Sequence, residues 1–412
     1  MLEPTIRPQN ALLLIAVQSG PGAPATPDPT LHAISFEADS FTKGQPWGSE
    51  DVNEATGSYV AGAPMRIGQE VPLSFRSRIR GAGPNVTYTS SVKPPLHVAL
   101  QVAGWRGQFT AAITAAALTA GSTTSATLGT GFGTTAQAYR GMPLAITAGV
   151  GNGRIPLISD YTTGKVATLV DLFGATLDTT TTAGIPANWT YARTSPADAT
   201  ARETDHPLAT VYYYEDGNLY KWQDVRGVLD MEGQTARPGM GTFNMSGTYL
   251  GSETAAMPAN AVVASHSAPV LAKGVGGVNG AALVNRAEVA ISRWALRTGG
   301  DLEGVVDPNT PYGFGASEIV GRAPTFEADP LRTLVSTRDA IAQIANDEEH
   351  IIALRHGSIV GNRWGLISPK SKPITATDEM RGRLRADAMV WRALNPGRDN
   401  QGRDGDAILT FF

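Results

Sequence analysis

Six histidines, no cysteine and scattered carboxylates set the limits of what this 412-residue chain could catalyse. Without cysteine there is no disulfide scaffold, no thiolate metal site and no sulfur nucleophile. His350 and His356 stand an even number of residues apart, so a strand would present both on one face as an imidazole pair. A metal ion needs a third ligand, and the nearby acids Asp347, Glu348 and Glu349 read as a solvated helix end. Gly149, Gly151 and Gly153 do not extend into a dinucleotide fingerprint and lack its strand–helix setting, so they read as a turn. Lys165 follows Gly164 without a phosphate-cradling loop, and no G-x-S-x-G nucleophile elbow occurs. Asp404 and Asp406 flank Gly405, which suggests a loop turn. Trp47, Trp105 and Trp189 would suit sugar platforms in a carbohydrate-binding or carbohydrate-cleaving β-protein, but no carboxylate pair is singled out beside them. The expectation is a protein without a catalytic site, cofactor or metal.

Composition points the same way. Glycine makes up 46 of 412 residues, charged residues 17% and hydrophobic residues 42%, which suits turn-rich β structure rather than disorder. A net charge of −4 argues against a dedicated nucleic-acid binder. Two triplets, Arg76/Arg78/Arg80 and Arg381/Arg383/Arg385, alternate along expected strands and read better as inter-subunit salt bridges than as a nucleic-acid stripe. The apolar run 11–17 is too short to cross a bilayer.

The elements follow from periodicity. From Val71 to Ile79 apolar side chains alternate with Ser74, Arg76 and Arg78, the pattern of a half-buried strand. Pro94-Pro95 opens a short helix that Gly104 closes. Asp216-Gly217 between two apolar runs predicts a hairpin, and 337–349 predicts the strongest helix. Tyr59-Val60-Ala61-Gly62-Ala63-Pro64 is echoed by Ile319-Val320-Gly321-Arg322-Ala323-Pro324, so one strand-and-helix unit is used twice. The expected organisation is mainly β. An N-terminal arm (1–31) precedes a first domain in two parts (32–105 and 205–262), split by an inserted small β-domain (106–204). A linker (263–281) leads to a second domain (282–412). The arm residues Leu12, Leu13, Leu14 and Ile15, together with Trp47 in a long polar loop, are the candidate inter-subunit contacts.

The order of segments resembles the tail tube proteins (major tail proteins) of long-tailed, non-contractile bacteriophages. The matching stretches are ALLLIAVQSGPGAPATPDPTLHAI, EVPLSFRSRIRGAG with PPLHVALQVAGW, RGVLDMEGQTARPGMGTFNMSGTYLGSETAAMP, EIVGRAPTFEADPL, HGSIVGNRWGLISPKSK and the terminal AILTFF. They cover most of 10–105 and 207–412; the insertion and the loop after Gly44 depart from the pattern. The resemblance implies two tandem tail-tube β-sandwich or barrel domains, each with a short helix. Self-assembly would give homotrimeric, pseudo-sixfold rings, or hexamers failing that, stacked into a tube in the virion after assembly in the host cytoplasm. Partners implied are the tape-measure protein in the lumen, tail terminator and distal tail proteins at the ends, and genomic double-stranded DNA passing without specific binding. The alternative within the same virion is a distal tail or baseplate adaptor.

Overall fold

The computed structural model describes residues 5–412 except 53, 56, 58, 61 and 274–279. Strand accounts for 47% of the chain and helix for 6%, so the protein is mainly β. In chain order the elements that matter begin with β1 (Ala11–Val17), β2 (Thr42–Lys43), the hairpin β3 (Trp47–Glu50) and β4 (Met65–Gly68), β5 (Val71–Arg78), helix α1 (His97–Val102) and β6 (Trp105–Thr110). After an inserted unit come β7 (Asn188–Thr194), β8 (Ala209–Glu215), β9 (Asn218–Gln234), β10 (Met240–Thr254), β11 (Ala282–Val284) and β12 (Arg293–Arg297). The hairpin β13 (Gly300–Val306) and β14 (Phe314–Arg322), β15 (Thr325–Ala328), helix α2 (Ala340–Ala345), β16 (His350–His356), β17 (Trp364–Arg381), β18 (Leu384–Ala393) and β19 (Arg403–Phe411) complete it.

One layer is an antiparallel sheet of eight strands in the order β2-β5-β10-β9-β12-β15-β18-β17. Its inner face carries a continuous row of large apolar side chains, among them Phe75, Phe243, Leu229, Trp294, Phe326 and Trp391. The strands β9 and β17 are long enough to bend out of this layer, and their first halves build the second one. There β9 pairs with β8 and β8 with β1, while β17 is flanked by β16 on one side and β19 on the other. β19 then pairs with β7, and β7 with β6. The turn between β8 and β9 falls on Asp216 (φ 46°) and Gly217 (φ 97°), both left-handed as a two-residue hairpin requires.

The same order of elements runs twice: an outer strand, an outlying hairpin, a second strand, a helix, a third strand, then a long bent strand and its return. The first run is β2, β3–β4, β5, α1, β8, β9, β10, and the second is β12, β13–β14, β15, α2, β16, β17, β18. The sequence echo does not mark equivalent positions, however. Pro324 directly precedes β15, whereas β4 lies between Pro64 and β5, and Ala61 is outside the described residues.

Three expectations change. Residues 11–17 of the expected arm are not free for a neighbour, because β1 is paired along its whole length with β8. Leu12, Leu13, Leu14 and Ile15 are buried by this chain and offer nothing for a neighbour to cover. An exposed run of this kind costs roughly 1.5–3 kcal/mol per large side chain, which an internal strand recovers at once. The insertion is shorter than 106–204, since β6 and β7 belong to the main sheet. The small unit comprises a three-stranded sheet (Ile113–Ala117, Ala145–Ala148, Thr182–Ile185) facing a four-stranded one (Ala120–Gly121, Ser125–Thr127, Ile158–Tyr161, Val166–Leu169). It encloses its own core around Leu118, Phe132, Leu144, Leu169 and Ile185. The helix expected over 337–349 is only six residues long. Asp339 caps it, its carboxylate accepting from Ile341 N at 3.1 Å and Ala342 N at 2.9 Å, and Asp347 at φ 55° ends the segment. Ile341 in its first turn is 78% exposed.

Candidate assembly surfaces

The two runs of the main sheet are joined edge to edge where Met231, Glu232, Gly233 and Gln234 of β9 oppose Leu296, Ala295, Trp294 and Arg293 of β12. The join is fastened at both ends. Thr235 donates its backbone N–H to Ser292 O (2.9 Å) and its hydroxyl to Ile291 O (2.6 Å), while Asp230 accepts from Thr298 N at 2.8 Å. Glycine is required at 233, because a Cβ there would lie 2.7 Å from the Trp294 indole nitrogen. Below the join Trp294 stacks parallel to Phe326 and meets Trp364 edge-on. On the other face Glu232 accepts from Arg76 at 3.0 Å and Arg297 at 3.2 Å, tying three strands together. Such half-exposed pairs each contribute at most about 1 kcal/mol; the ladder and the apolar rows carry the join.

β9 can accept β12 because β8 stops short of its second half. β17 repeats this geometry. β16 pairs with it only as far as Ser371, on the side away from β18. Beyond that point, among the described residues, no strand pairs with this side of the stretch 372–381, and Ile374, Thr375 and Thr377 are exposed. At the opposite edge of the sheet lies β2, the counterpart of β12. The registers agree: Phe75, Phe243 and Leu229 form one row, Phe326, Trp391 and Pro373 the corresponding one. Leu296 lies beside Phe326, and Phe41, one residue before Thr42 and its partner Ser74, lies beside Phe75.

The remaining residues singled out by the sequence fall as follows. Trp47 is 42% exposed on the β3–β4 hairpin, its ring edge-on to Tyr312 at 5.0 Å. Trp105 and Trp189 are buried, and the Trp189 indole donates to Thr89 O and Val92 O, so neither is a sugar platform. Arg76 and Arg78 pair inside the chain, with Glu232 and with Glu37 (3.7 Å), as do Arg381 with Asp329 and Arg385 with Asp378. Asp404 and Asp406 are not loop residues but buried members of β19, paired with Arg322 and Arg193. Nothing local in the sequence marks them, since their partners lie more than 80 residues away. Ser195 donates to Asp404 at 2.6 Å, yet the nearby His206 is engaged with Thr194 O, so no nucleophile–base pair forms. Among the described residues no three His, Asp or Glu are grouped to hold a metal ion. An open cleft of about 800 Å³ lies over the join, lined by the paired charges Arg76, Glu232, Arg293 and Arg297 and by Glu327.

His350 and His356 do share one strand, β16, but both face tryptophans. Trp391 donates its indole N–H to His350 Nδ1, and His356 stacks on Trp364 at 3.7 Å with neither ring nitrogen bonded. Burial lowers the pKa of His356 to about 3, of His97 to about 3 and of His206 to about 4. These rings fold in the neutral form. In the unfolded chain they protonate near pH 6.5, so their contribution is intact above that pH and is lost as pH falls toward 4. Thermal unfolding is therefore expected at clearly lower temperature at pH 4.5 than at 7.5, and His356→Phe, which keeps the stack without a proton site, should shrink the difference. An unchanged pH difference in that variant would remove His356 from the account.

A scan against protein-family models finds no match for this sequence, and a search of curated proteins returns no relative.

Proposed function

We propose that this chain is a structural subunit that closes into rings and stacks them into the tail tube of a long-tailed, non-contractile bacteriophage, the conduit for DNA ejection. The observation that carries this reading is the open edge of β17. Within one chain the matching stretch of β9 is filled by β12; at β17 no strand among the described residues fills the same place, and the counterpart of β12 stands at the far edge of the same sheet. Unpaired edges of this kind are aggregation hazards unless something covers them. A head-to-tail contact between identical chains covers every edge when the rotation closes. Two tandem tail-tube domains per chain make three chains a pseudo-sixfold ring, with the eight-stranded sheets joined into one barrel.

The segment order described for this family supports the identification, and the absence of an assembled catalytic or metal constellation among the described residues leaves assembly as the best use of the surface. In such a barrel the outer sheet face, where Arg76 and Arg297 are held by Glu232 and Arg293 by Glu379, would face the lumen. Arginines neutralised by neighbouring carboxylates give sliding DNA little net attraction. The tape-measure protein would occupy that lumen beforehand, and terminator and distal tail proteins would cap the ends.

Negative-stain electron microscopy of the concentrated protein at neutral pH tests this reading. Hollow tubes of uniform width with threefold rings are expected. Discrete single rings would favour a distal tail or baseplate adaptor, and a protein that stays monomeric alone and beside an initiating tail-tip complex would sink the proposal.

A further inference from the structure

The main sheet has two ends as well as two edges, and they are chemically opposite. Both outlying hairpins sit at one end. β3–β4 is inserted between β2 and β5 and β13–β14 between β12 and β15, so strand direction puts the pair together. They pack as one body through Trp47 on Tyr312 and through Ser317, whose hydroxyl donates to Glu70 at 2.9 Å. Residues 47–68 and 300–322 hold seven acids against two arginines, Arg66 and Arg322. Glu50, Asp51, Glu54, Asp301 and Glu303 are exposed and form no ion pair among the described residues. The body also exposes apolar side chains, Val306 at 76% and Met65 at 54%.

The opposite end lies roughly 25 Å away along the eight residues of β5. It is made by the β9–β10 turn, the segment after β15 and the β17–β18 turn. Arg237, Arg332, Arg338, Arg381, Arg383 and Arg385 gather there. The carboxylates at this end are already occupied by these guanidinium groups: Asp378 and Asp387 by Arg332, Asp329 by Arg381. Arg383 is exposed and has no carboxylate within reach among the described residues. Apolar side chains are bare at this end too, with Leu334 76% and Val335 72% exposed.

We infer that the acidic hairpin end of one copy seats on the basic β17–β18 end of a second copy, and that this contact stacks one ring on the next. The inference rests on the tube reading, and it assigns the axial contact to surfaces that leave the β17 edge free for ring closure. The occupant is a second copy because each end supplies what the other lacks: unpaired carboxylates against surplus guanidinium groups, each with exposed aliphatic side chains to be covered. Opposed fields of this kind fix polarity, since two like ends repel. A translation along the strands brings unlike ends together and generates an open filament.

The test uses the full chain in three forms. Asp301→Lys/Glu303→Lys reverses the acidic end, Arg383→Glu/Arg385→Glu reverses the basic end, and the combined variant reverses both. Each of the first two is expected to form rings but to shorten tubes by at least ~10-fold in electron micrographs, and 1 M salt, with a Debye length of about 3 Å, should do the same to the unaltered protein. The combined variant should regain tubes, because its ends are again opposite; circular dichroism melts near the parent's would show that all three fold. Normal tubes from either single-end variant would overturn the inference while leaving the tube reading intact. A parent protein that makes neither rings nor tubes, alone or beside an initiating tail-tip complex, would overturn the tube reading itself and this inference with it.

Discussion

Oxidation of a Thr42→Cys/Thr375→Cys variant is expected to join separate chains into a covalent ladder that ends at the trimer. The expectation follows from register. Met231 opposes Leu296 at the internal join, and the corresponding residues at the open edges are Ala376 and Phe41. Pairing them antiparallel sets Thr375 opposite Thr42 of the next copy. Thr375 opposes Val390 and Thr42 opposes Ser74, so both side chains lie on the outer sheet face, where they are exposed. Within one chain the two positions stand at opposite edges of eight strands, roughly 33 Å apart at 4.7 Å per step. A disulfide needs Cα atoms within about 7 Å, so an intrachain bond is out of reach. The parent has no cysteine, which leaves no background. Denaturing gels would read the result. A ladder ending at six would replace the trimer by a hexamer, and reduced monomers from samples in which microscopy shows rings would reject this edge pairing.

Asp171→Ala should cost about 3–5 kcal/mol, the range for removing one partner of a buried charge cluster. Asp171 is fully buried between the inserted unit and the main body, with Arg154 at 2.9 Å and Arg355 of β16 at 2.8 Å. Arg355 also donates to Ile155 O, and Arg286 to Leu169 O, so the insertion is seated by guanidinium groups on its backbone carbonyls. Without the carboxylate the buried Arg355 and the partly buried Arg154 are left as uncompensated cations. The loss should appear in urea titration as early release of residues 113–185, with the main sheet unfolding later, because each part has its own core. Replacing all three residues by apolar ones, Asp171→Leu with Arg154→Met and Arg355→Met, should recover most of the stability. A loss below about 1 kcal/mol in the alanine variant would mean that the carboxylate is not what seats the insertion.

By itself the sequence determined the features that depend on near neighbours. Alternation over 71–79 makes β5, because period two is imposed by the pleat whatever strand lies alongside. Asp216-Gly217 makes its turn through positive φ, Gly104 ends α1 at φ +74°, and the absence of cysteine removes a whole class of chemistry. The tertiary structure decided everything that depends on a distant partner. ALLLIAV is equally apolar as a strand docked on a neighbour or on its own β8, and only the presence of β8 beside it buries Leu12 to Ile15 at home. Asp404 and Asp406 flank a glycine as turn residues do, yet β7 and β14 bring arginines to them and make them core. The expected helix over 337–349 is held to six residues between the Asp339 cap and Asp347 at φ 55°, limits that apolar spacing alone does not mark. Which edge stays open, and which end of the sheet is acidic, are likewise consequences of pairing. A strand's pattern says which side chains face inward, whereas its neighbour is chosen by contacts hundreds of residues apart, which no local period records.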